Sequence, residues 1–514
     1  MLDSILLIIL FSPFLGAVAL MFVPNRQALR VRLTAAISAG VCCSASWIMF
    51  LAFDPAKSGY QFVQKFEWSK ELGIAFYLGV DGIGAPLVLA SGILLFAGIF
   101  ISWHIKDRTK EFYIFLLILA AATIGVFMSL DLFFLYFFYE MSVIPMYLLL
   151  GVWGSHTKKY LEMTDPDGLK KRDSVAFLFN FASNSKEYAA MKLTLFLSAG
   201  AVLALMGILL IYKFSGLNTF DIVALKEQAH FGQPLTTIIW LLILYEIFPD
   251  ATRELMPIAA ILCIFSILYG GLVAFYARDT KYVIGYSSSS HMGYVFLGMA
   301  ALDYISLTGA VMYMFAHAMA TGMLFAMAGW VYDQTHSRDI PSLGGLVNRM
   351  PFVSGCFIIA CMASIGMPGT VNFWAEVMIL VGAWGRYPIQ VLIAMVGIVL
   401  TMGYLFRMMR GLFYGPMEEQ YSHARDAVSM VDRFPLLLMI ACSVGFFLFP
   451  YYFYNVVRSG VDPLIARITQ VVPLAAEGRE ASFVKREATS LTPSVSGNFT
   501  PVSRFTFHVS REKE

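Results

Sequence analysis

The chain has 514 residues, 59% of them hydrophobic and 14% charged, with a formal net charge of +2. Soluble domains carry roughly half apolar and a quarter charged residues, so this balance excludes a soluble globule. The small net charge gives no pointer to nucleic acid, and the basic residues gather between apolar runs, where they orient a membrane protein.

A bilayer-spanning helix takes about 20 consecutive apolar residues. Runs of that kind fall at 5–23, 31–53, 80–103, 112–130, 132–153, 190–212, 256–276, 283–302, 307–331, 351–384, 389–413 and 434–454. They predict an all-α, polytopic transmembrane bundle of about 12 spans rather than a barrel. In the first run Ala17-Val18-Ala19 imitates a signal-peptidase site, but Asp3 stands where such a peptide needs positive charge, so a retained first helix is expected. The loop after the first run holds Arg26, Arg30 and Arg32, and that after the third holds Lys106, Arg108 and Lys110. The loop after the fifth holds Lys158, Lys159, Lys170, Lys171, Arg172 and Lys186. By the positive-inside rule these loops are cytoplasmic and the N-terminus faces outward.

One further apolar run, Leu235 to Phe248, is only 14 residues long, below the roughly 17 at the low end for a span. The later loops with Arg278 and Lys281, Arg338 and Arg349, and Arg407 and Arg410 all fall inside only if this run does not cross. A re-entrant or interfacial segment is therefore expected at 235–248. After Pro473 the chain turns polar and reads as an extramembrane tail.

Cys42, Cys43, Cys263, Cys356, Cys361 and Cys442 lie inside apolar runs, none in a C-x-x-C spacing, and are expected as small core residues. Gly79, Gly82 and Gly84 do not fit G-x-G-x-x-G and are expected to open a membrane helix. No cofactor or metal is therefore expected on this chain.

A charge at mid-bilayer costs about 2.5–3.5 kcal/mol, so ionisable residues there line a pathway or pair with a partner. Glu140 sits near the middle of the run 132–153, with Pro145 five residues on, a residue that cannot donate its backbone hydrogen bond. The combination suggests an acid beside a helix break; a glutamic acid bonded to a neighbouring helix is the alternative. The run 351–384 would be about 50 Å long as one helix, too long for a core of roughly 30 Å. Gly366-Met367-Pro368-Gly369-Thr370 is expected to break it near 366–370, and Glu376 follows eight residues after Pro368. A kinked helix with a glutamate at its lipid end is the plainer reading. His291 follows the serine run 287–290, and His317 lies centrally in the run 307–331. Imidazole can pass a proton through its two nitrogens, so two buried histidines suggest a relay, with interhelical hydrogen bonds as the alternative. Lys192 lies near a helix end, where it can also snorkel to the interface.

Four stretches resemble the antiporter-like subunit M of proton-pumping NADH:quinone oxidoreductase, respiratory complex I. They are Leu78-Gly79-Val80-Asp81-Gly82-Ile83, Tyr139-Glu140 with Pro145-Met146-Tyr147, Ser288-Ser289-Ser290-His291-Met292-Gly293, and Gly366-Met367-Pro368-Gly369-Thr370 with Asn372-Phe373 and Glu376. A carboxylate at the Glu376 position resembles subunit M, since sister subunits and related cation/proton antiporters place lysine there. The resemblance implies two inverted five-helix repeats, each with a broken helix, and a proton pathway with Glu140 and Glu376 as its carboxyl ends and His291 and His317 between; Lys192 is a further candidate for the pathway by its position alone. It divides the chain into N-terminal helices (1–103), a first repeat (104–255), a second repeat (256–413), a last helix with flanks (414–473) and a tail (474–514). The family's helices seven and eight, with their two lysines, have no counterpart here: Pro234 through Leu255 stands in their place.

The activity implied is proton translocation by a membrane-arm subunit, an enzyme only as part of an oxidoreductase. The alternatives are a non-pumping spacer in the same complex, or a subunit of a cation/proton antiporter complex. Flavin and iron–sulfur clusters are implied on partner subunits, and quinone is used by the complex without binding here. Other membrane-arm subunits and lipid are the implied partners, in the inner membrane of a bacterium.

Overall fold

Inside a bilayer the backbone must satisfy its own hydrogen bonds, and helices do so within one segment. The computed structural model describes residues 2–154, 186–228 and 249–470. The chain divides into a unit Met1–Ile468 and a second over Thr469–Glu514, and the fold described here is that of the first. Its first helices are α1 (Ile5–Phe22), α2 (Ala28–Ala52), α3 (Gly84–Ile101), α4 (Thr109–Met128), α5 (Leu132–Trp153) and α6 (Lys186–Phe214). A short α7 (Ile222–Gln228) is followed by α8 (Pro249–Tyr276), α9 (Thr280–Ala300) and α10 (Tyr304–Thr335). Then come α11 (Pro351–Ile365), α12 (Val371–Trp384), α13 (Pro388–Phe413), α14 (Met430–Leu448) and α15 (Pro450–Gln470). Among the described residues ten helices are long and apolar enough to cross a membrane. α9, diluted by its serines, and the interrupted pair α11–α12 occupy the remaining two of the runs read from the sequence.

Three expectations need correction. Gly79 does not open a helix: β1 (Gln61–Ser69) and β2 (Ile74–Val80) form an antiparallel hairpin ahead of α3, pairing Phe66 with Phe76 and Gln61 with Val80. The run 434–454 is not one span, because α14 ends at Leu448 and Pro450 opens α15. Pro145 does not break α5, which continues through it to Trp153. Proline removes one backbone donor but is tolerated in membrane helices whose neighbours hold them straight, and Pro13 in α1 is accommodated likewise.

Successive helices alternate between two faces. On the first face lie the hairpin, Ser129 to Asp131, and Asp221, joined by the bridges Leu78↔Ser129 and Asp131↔Asp221. On the second lie the segments with Arg26, Arg32, Lys106, Arg108, Arg278, Arg338 and Arg410. There the Arg407 guanidinium donates to Ala277 O and ties α13 to α8. α15 crosses the first face: Tyr452 Oη donates to Phe50 O at 2.7 Å, and Arg467 donates to Lys226 O. An aromatic cluster locks α14 and α15 onto α10, with Phe446–Phe453 centroids 4.7 Å apart and Phe315–Phe446 5.1 Å.

The two halves of the bundle share one device. Leu132 N donates to Phe220 O at 2.9 Å and Ile222 N to Leu130 O at 2.9 Å. In the second half Thr280 N donates to Arg338 O at 2.9 Å and Ile340 N to Arg278 O at 2.8 Å. Each bridge flanks an aspartate that caps a helix: Asp131 accepts from Phe133 N and Phe134 N, Asp279 from Lys281 N and Tyr282 N. Such caps satisfy donors that a helix N-terminus leaves unpaired. The bridges lie on opposite faces, as an inverted repeat requires.

After the second bridge come α11, its break, α12 and α13; after the first, α7 alone precedes α8 among the described residues. Both flanks of the intervening segment are on the first face. α6 starts on the second face, where Lys186 Nζ donates to Val152 O at 2.6 Å, and therefore ends on the first. α8 runs antiparallel to α9, with Gly270 against Tyr286 and Ser290 and Gly293 against Cys263, so it too begins on the first face. The run 235–248 itself, and the tail after Pro473, lie outside the described residues.

Candidate functional site

The interruption between α11 and α12 is built by glycine. Gly366 has φ +77°, a left-handed conformation that β-carbons disfavour. It closes α11 through Gly366 N to Ala363 O at 3.0 Å and Met367 N to Met362 O at 3.1 Å. Pro368 sits in the break, Gly369 has φ +113°, and Thr370 Oγ1 donates to Met367 O at 3.2 Å before α12 restarts at Val371. A Cβ on Gly366 would collide with the Glu376 carboxylate. The bare glycine is therefore the floor on which that carboxylate rests.

Glu376 is 6% exposed and meets a fully buried tyrosine from α10: Tyr313 Oη lies 2.6 Å from Glu376 Oε1. The same hydroxyl lies 2.6 Å from His291 Nδ1 on α9. His317 lies one turn beyond Tyr313, its ring centroid 5.5 Å from that of His291. Its Nε2 is held at 2.8 Å by Ser288 Oγ and at 3.1 Å by Thr321 Oγ1. His291 Nε2 is buried with no hydrogen-bond partner among the described residues, and so are both polar atoms of the Asn372 amide, one turn before Glu376. Tyr294 Oη donates to Ala394 O at 2.7 Å and fixes α9 to α13 beside the array.

The array has two self-consistent proton arrangements. With Glu376 ionised, Tyr313 donates to it, and His291 Nδ1 must carry a proton to donate to the tyrosine oxygen. With Glu376 protonated, the acid donates to Tyr313 and the hydroxyl turns to donate to an unprotonated Nδ1. Every contact survives in both, so the site can store a proton without breaking its geometry.

The structure thus gathers His291, His317 and Glu376 at one site, with Pro368 in the adjoining break. It does not bring Glu140 and Lys192 into that site. Glu140 is half-buried on α5, Lys192 is exposed on α6, and no hydrogen bond or ion pair joins them among the described residues. Tyr313, Ser288 and Thr321 are additional members of the site. Tyr313 and Thr321 stand four residues either side of His317, the spacing that places side chains on one helix face; that pattern was the available signal. The six cysteines are all buried and free.

A helical membrane bundle with two matching backbone bridges on opposite faces and a buried histidine–tyrosine–glutamate array at a broken helix defines the class, a polytopic membrane protein with an ionisable site inside its bundle. The family described as NADH:quinone oxidoreductase/Mrp antiporter, TM, matches residues 237–401. NADH-quinone oxidoreductase subunit M of Pseudomonas aeruginosa is 31% identical, the alignment covering 73% of this chain and 80% of the relative. NAD(P)H-quinone oxidoreductase chain 4 2 of Trichodesmium erythraeum is 30% identical over 79% of this chain and 77% of its own. Subunit M of Rickettsia prowazekii is 28% identical over 90% of this chain and 99% of the relative. In fold, the chain is similar to one in respiratory complex I from Thermus thermophilus with bound NADH, with a TM-score of 0.74 at 20% identity over 92% of this chain and 100% of that one. It is also similar to a chain of the Mrp complex from Dietzia sp., with a TM-score of 0.70 at 14% identity over 90% of this chain and 97% of that one. The chain belongs to the family of antiporter-like membrane subunits M, or chain 4, of NADH:quinone oxidoreductases.

Proposed function

We propose that this chain translocates protons as a membrane-arm subunit of an NADH:quinone oxidoreductase, and that it does so through its second repeat. The observation that carries the reading is the array from His317 through His291 to Glu376, buried at a helix break. A carboxyl group kept in a membrane interior at a cost of about 2.5–3.5 kcal/mol when charged, and held by one neutral hydroxyl, is suited to gaining and losing a proton. Electron transfer, with its flavin and iron–sulfur clusters, belongs to partner subunits in this reading, and quinone does not bind here. Neighbouring membrane-arm subunits pack against the lipid-exposed helices. The basic second face is cytoplasmic and the N-terminus lies outside, in a bacterial inner membrane.

The first repeat is inactive in this reading. Among the described residues no lysine forms an ion pair with Glu140, and the exposed Lys192 does not supply one. The deciding experiment compares Glu376→Gln with Glu140→Gln in the whole oxidoreductase reconstituted in vesicles, measuring protons moved per electron. Glu376→Gln is expected to lower that ratio while the complex assembles and oxidises NADH, because the amide keeps the shape and removes the exchangeable proton. Glu140→Gln is expected to leave it nearly unchanged. An unaltered ratio in Glu376→Gln overturns the reading; a severe defect in Glu140→Gln shows instead that the first repeat carries protons.

A further inference from the structure

We propose that Tyr313 is itself a proton carrier, the obligatory link through which His291 and Glu376 exchange protons; this rests on the reading of Glu376 as a proton-accepting group. His291 and Glu376 share no direct hydrogen bond among the described residues. What joins them is one phenolic oxygen, 2.6 Å from His291 Nδ1 and 2.6 Å from Glu376 Oε1. Both neighbours are within the range of a short O–H···O or N–H···O bond. The hydroxyl is fully enclosed, with Tyr313 0% and His291 1% exposed, so bulk water has no side approach to the link.

The transfer balances without any further reactant. A proton arrives at His291 Nε2, the buried nitrogen with no partner among the described residues, and an N–H bond forms there. The Nδ1–H bond breaks as an O–H bond forms on Tyr313 Oη. The original phenolic O–H breaks as an O–H bond forms on Glu376 Oε1. One proton has entered at the ring and one has been stored on the carboxyl, while tyrosine is neutral before and after. The relay resets when the proton leaves Glu376, the hydroxyl turns back toward the carboxylate, and the ring exchanges its Nε2–H for Nδ1–H. The hydroxyl of Tyr313 points at the carboxylate in one state and at the imidazole in the other, so its rotation is part of every cycle of the relay.

The geometry around the link favours transfer over mere support. His317 stands beside His291, with ring centroids 5.5 Å apart, held in place by its own hydroxyl partners Ser288 and Thr321. The Glu376 carboxylate lies against the bare Gly366, whose missing side chain leaves it room beside the tyrosine hydroxyl.

The test uses the whole oxidoreductase in vesicles, with Tyr313→Phe and with 3,5-difluorotyrosine placed at 313. Tyr313→Phe is expected to lower protons moved per electron as far as Glu376→Gln does, in complex that assembles. The fluorinated residue keeps the size and the hydroxyl but is more acidic, so it is expected to support pumping with an altered solvent deuterium isotope effect on the pumping rate. A purely structural tyrosine predicts no change in that isotope effect. If Glu376→Gln abolishes pumping while Tyr313→Phe pumps normally, the carrier role is overturned and the functional reading stands. If Tyr313→Phe fails to assemble, an unaltered isotope effect in the fluorinated protein overturns the proposal by itself. If Glu376→Gln pumps normally, the functional reading fails first.

Discussion

At the scale of single residues, the site depends on one absent side chain as much as on those present. Gly366 both adopts φ +77° and leaves room for the Glu376 carboxylate. An alanine there carries about 1–2 kcal/mol of left-handed strain, and its methyl group must displace the carboxylate. Gly366→Ala is expected to reduce protons moved per electron more than it reduces the amount of assembled complex in membranes. Equal pumping per assembled complex in mutant and parent would show that the carboxylate does not need the glycine. On the first face, Lys65 Nζ lies 2.6 Å from Asp221 Oδ2, and that hydrogen bond raises the ammonium above the ordinary lysine value. On the alkaline side the pair's contribution is therefore complete up to the ordinary lysine value and is lost as pH rises through the raised one.

At the scale of elements, the hairpin and the helix caps hold the first repeat together. Asp131 accepts from Phe133 N, Phe134 N and, at 3.0 Å, Ala75 N of β2. Asp303, which caps α10, accepts from Ile305 N and Ser306 N and reaches no strand. Removal of a cap costs about 1 kcal/mol, and a buried donor left unpaired costs about 1–3 kcal/mol more. Asp131→Ala is therefore expected to lower the thermal midpoint of the detergent-solubilised complex further than Asp303→Ala, and to open the hairpin to protease. Equal midpoints with an intact hairpin would show that Asp131 serves α5 alone. α5 itself shows that proline need not interrupt a packed helix, whereas Pro368 lies where two glycines have already turned the chain.

At the scale of the whole molecule, the symmetry of the two bridges exposes an asymmetry of content. The second bridge leads into α11, the break, α12 and α13, while the first leads through α7 to α8 with both flanks of the intervening segment on one face. The topology is tested with cysteines placed at Lys226 and Arg253, since the native six are buried and offer little background. Both positions are expected to label with an impermeant reagent from the same side of sealed vesicles. Labelling from opposite sides would mean that the segment between them crosses and that the second repeat is not inverted with respect to the first.

The sequence by itself determined the membrane class, the positions of the spans, the break at 366–370 and the ionisable residues worth attention, because long apolar runs, glycine–proline punctuation and buried charge are local signals. It also carried the resemblance that implied the family. What it could not show was which partners Glu140 and Glu376 meet, since both are single acids in apolar runs with a proline nearby. Only the tertiary structure separated them, by packing α9 and α10 against α12 so that His291, Tyr313 and Glu376 meet, while Lys192 is left exposed. The hairpin was hidden for a related reason: only Asp81-Gly82-Ile83 separates the apolar Ile74 to Val80 from the apolar α3, and strand pairing with Gln61 to Ser69 is a contact between segments that no single window contains. Tyr313 was one aromatic among many in an apolar helix. Its role is set by two hydrogen bonds to two other helices, and such contacts exist only once the chain has folded.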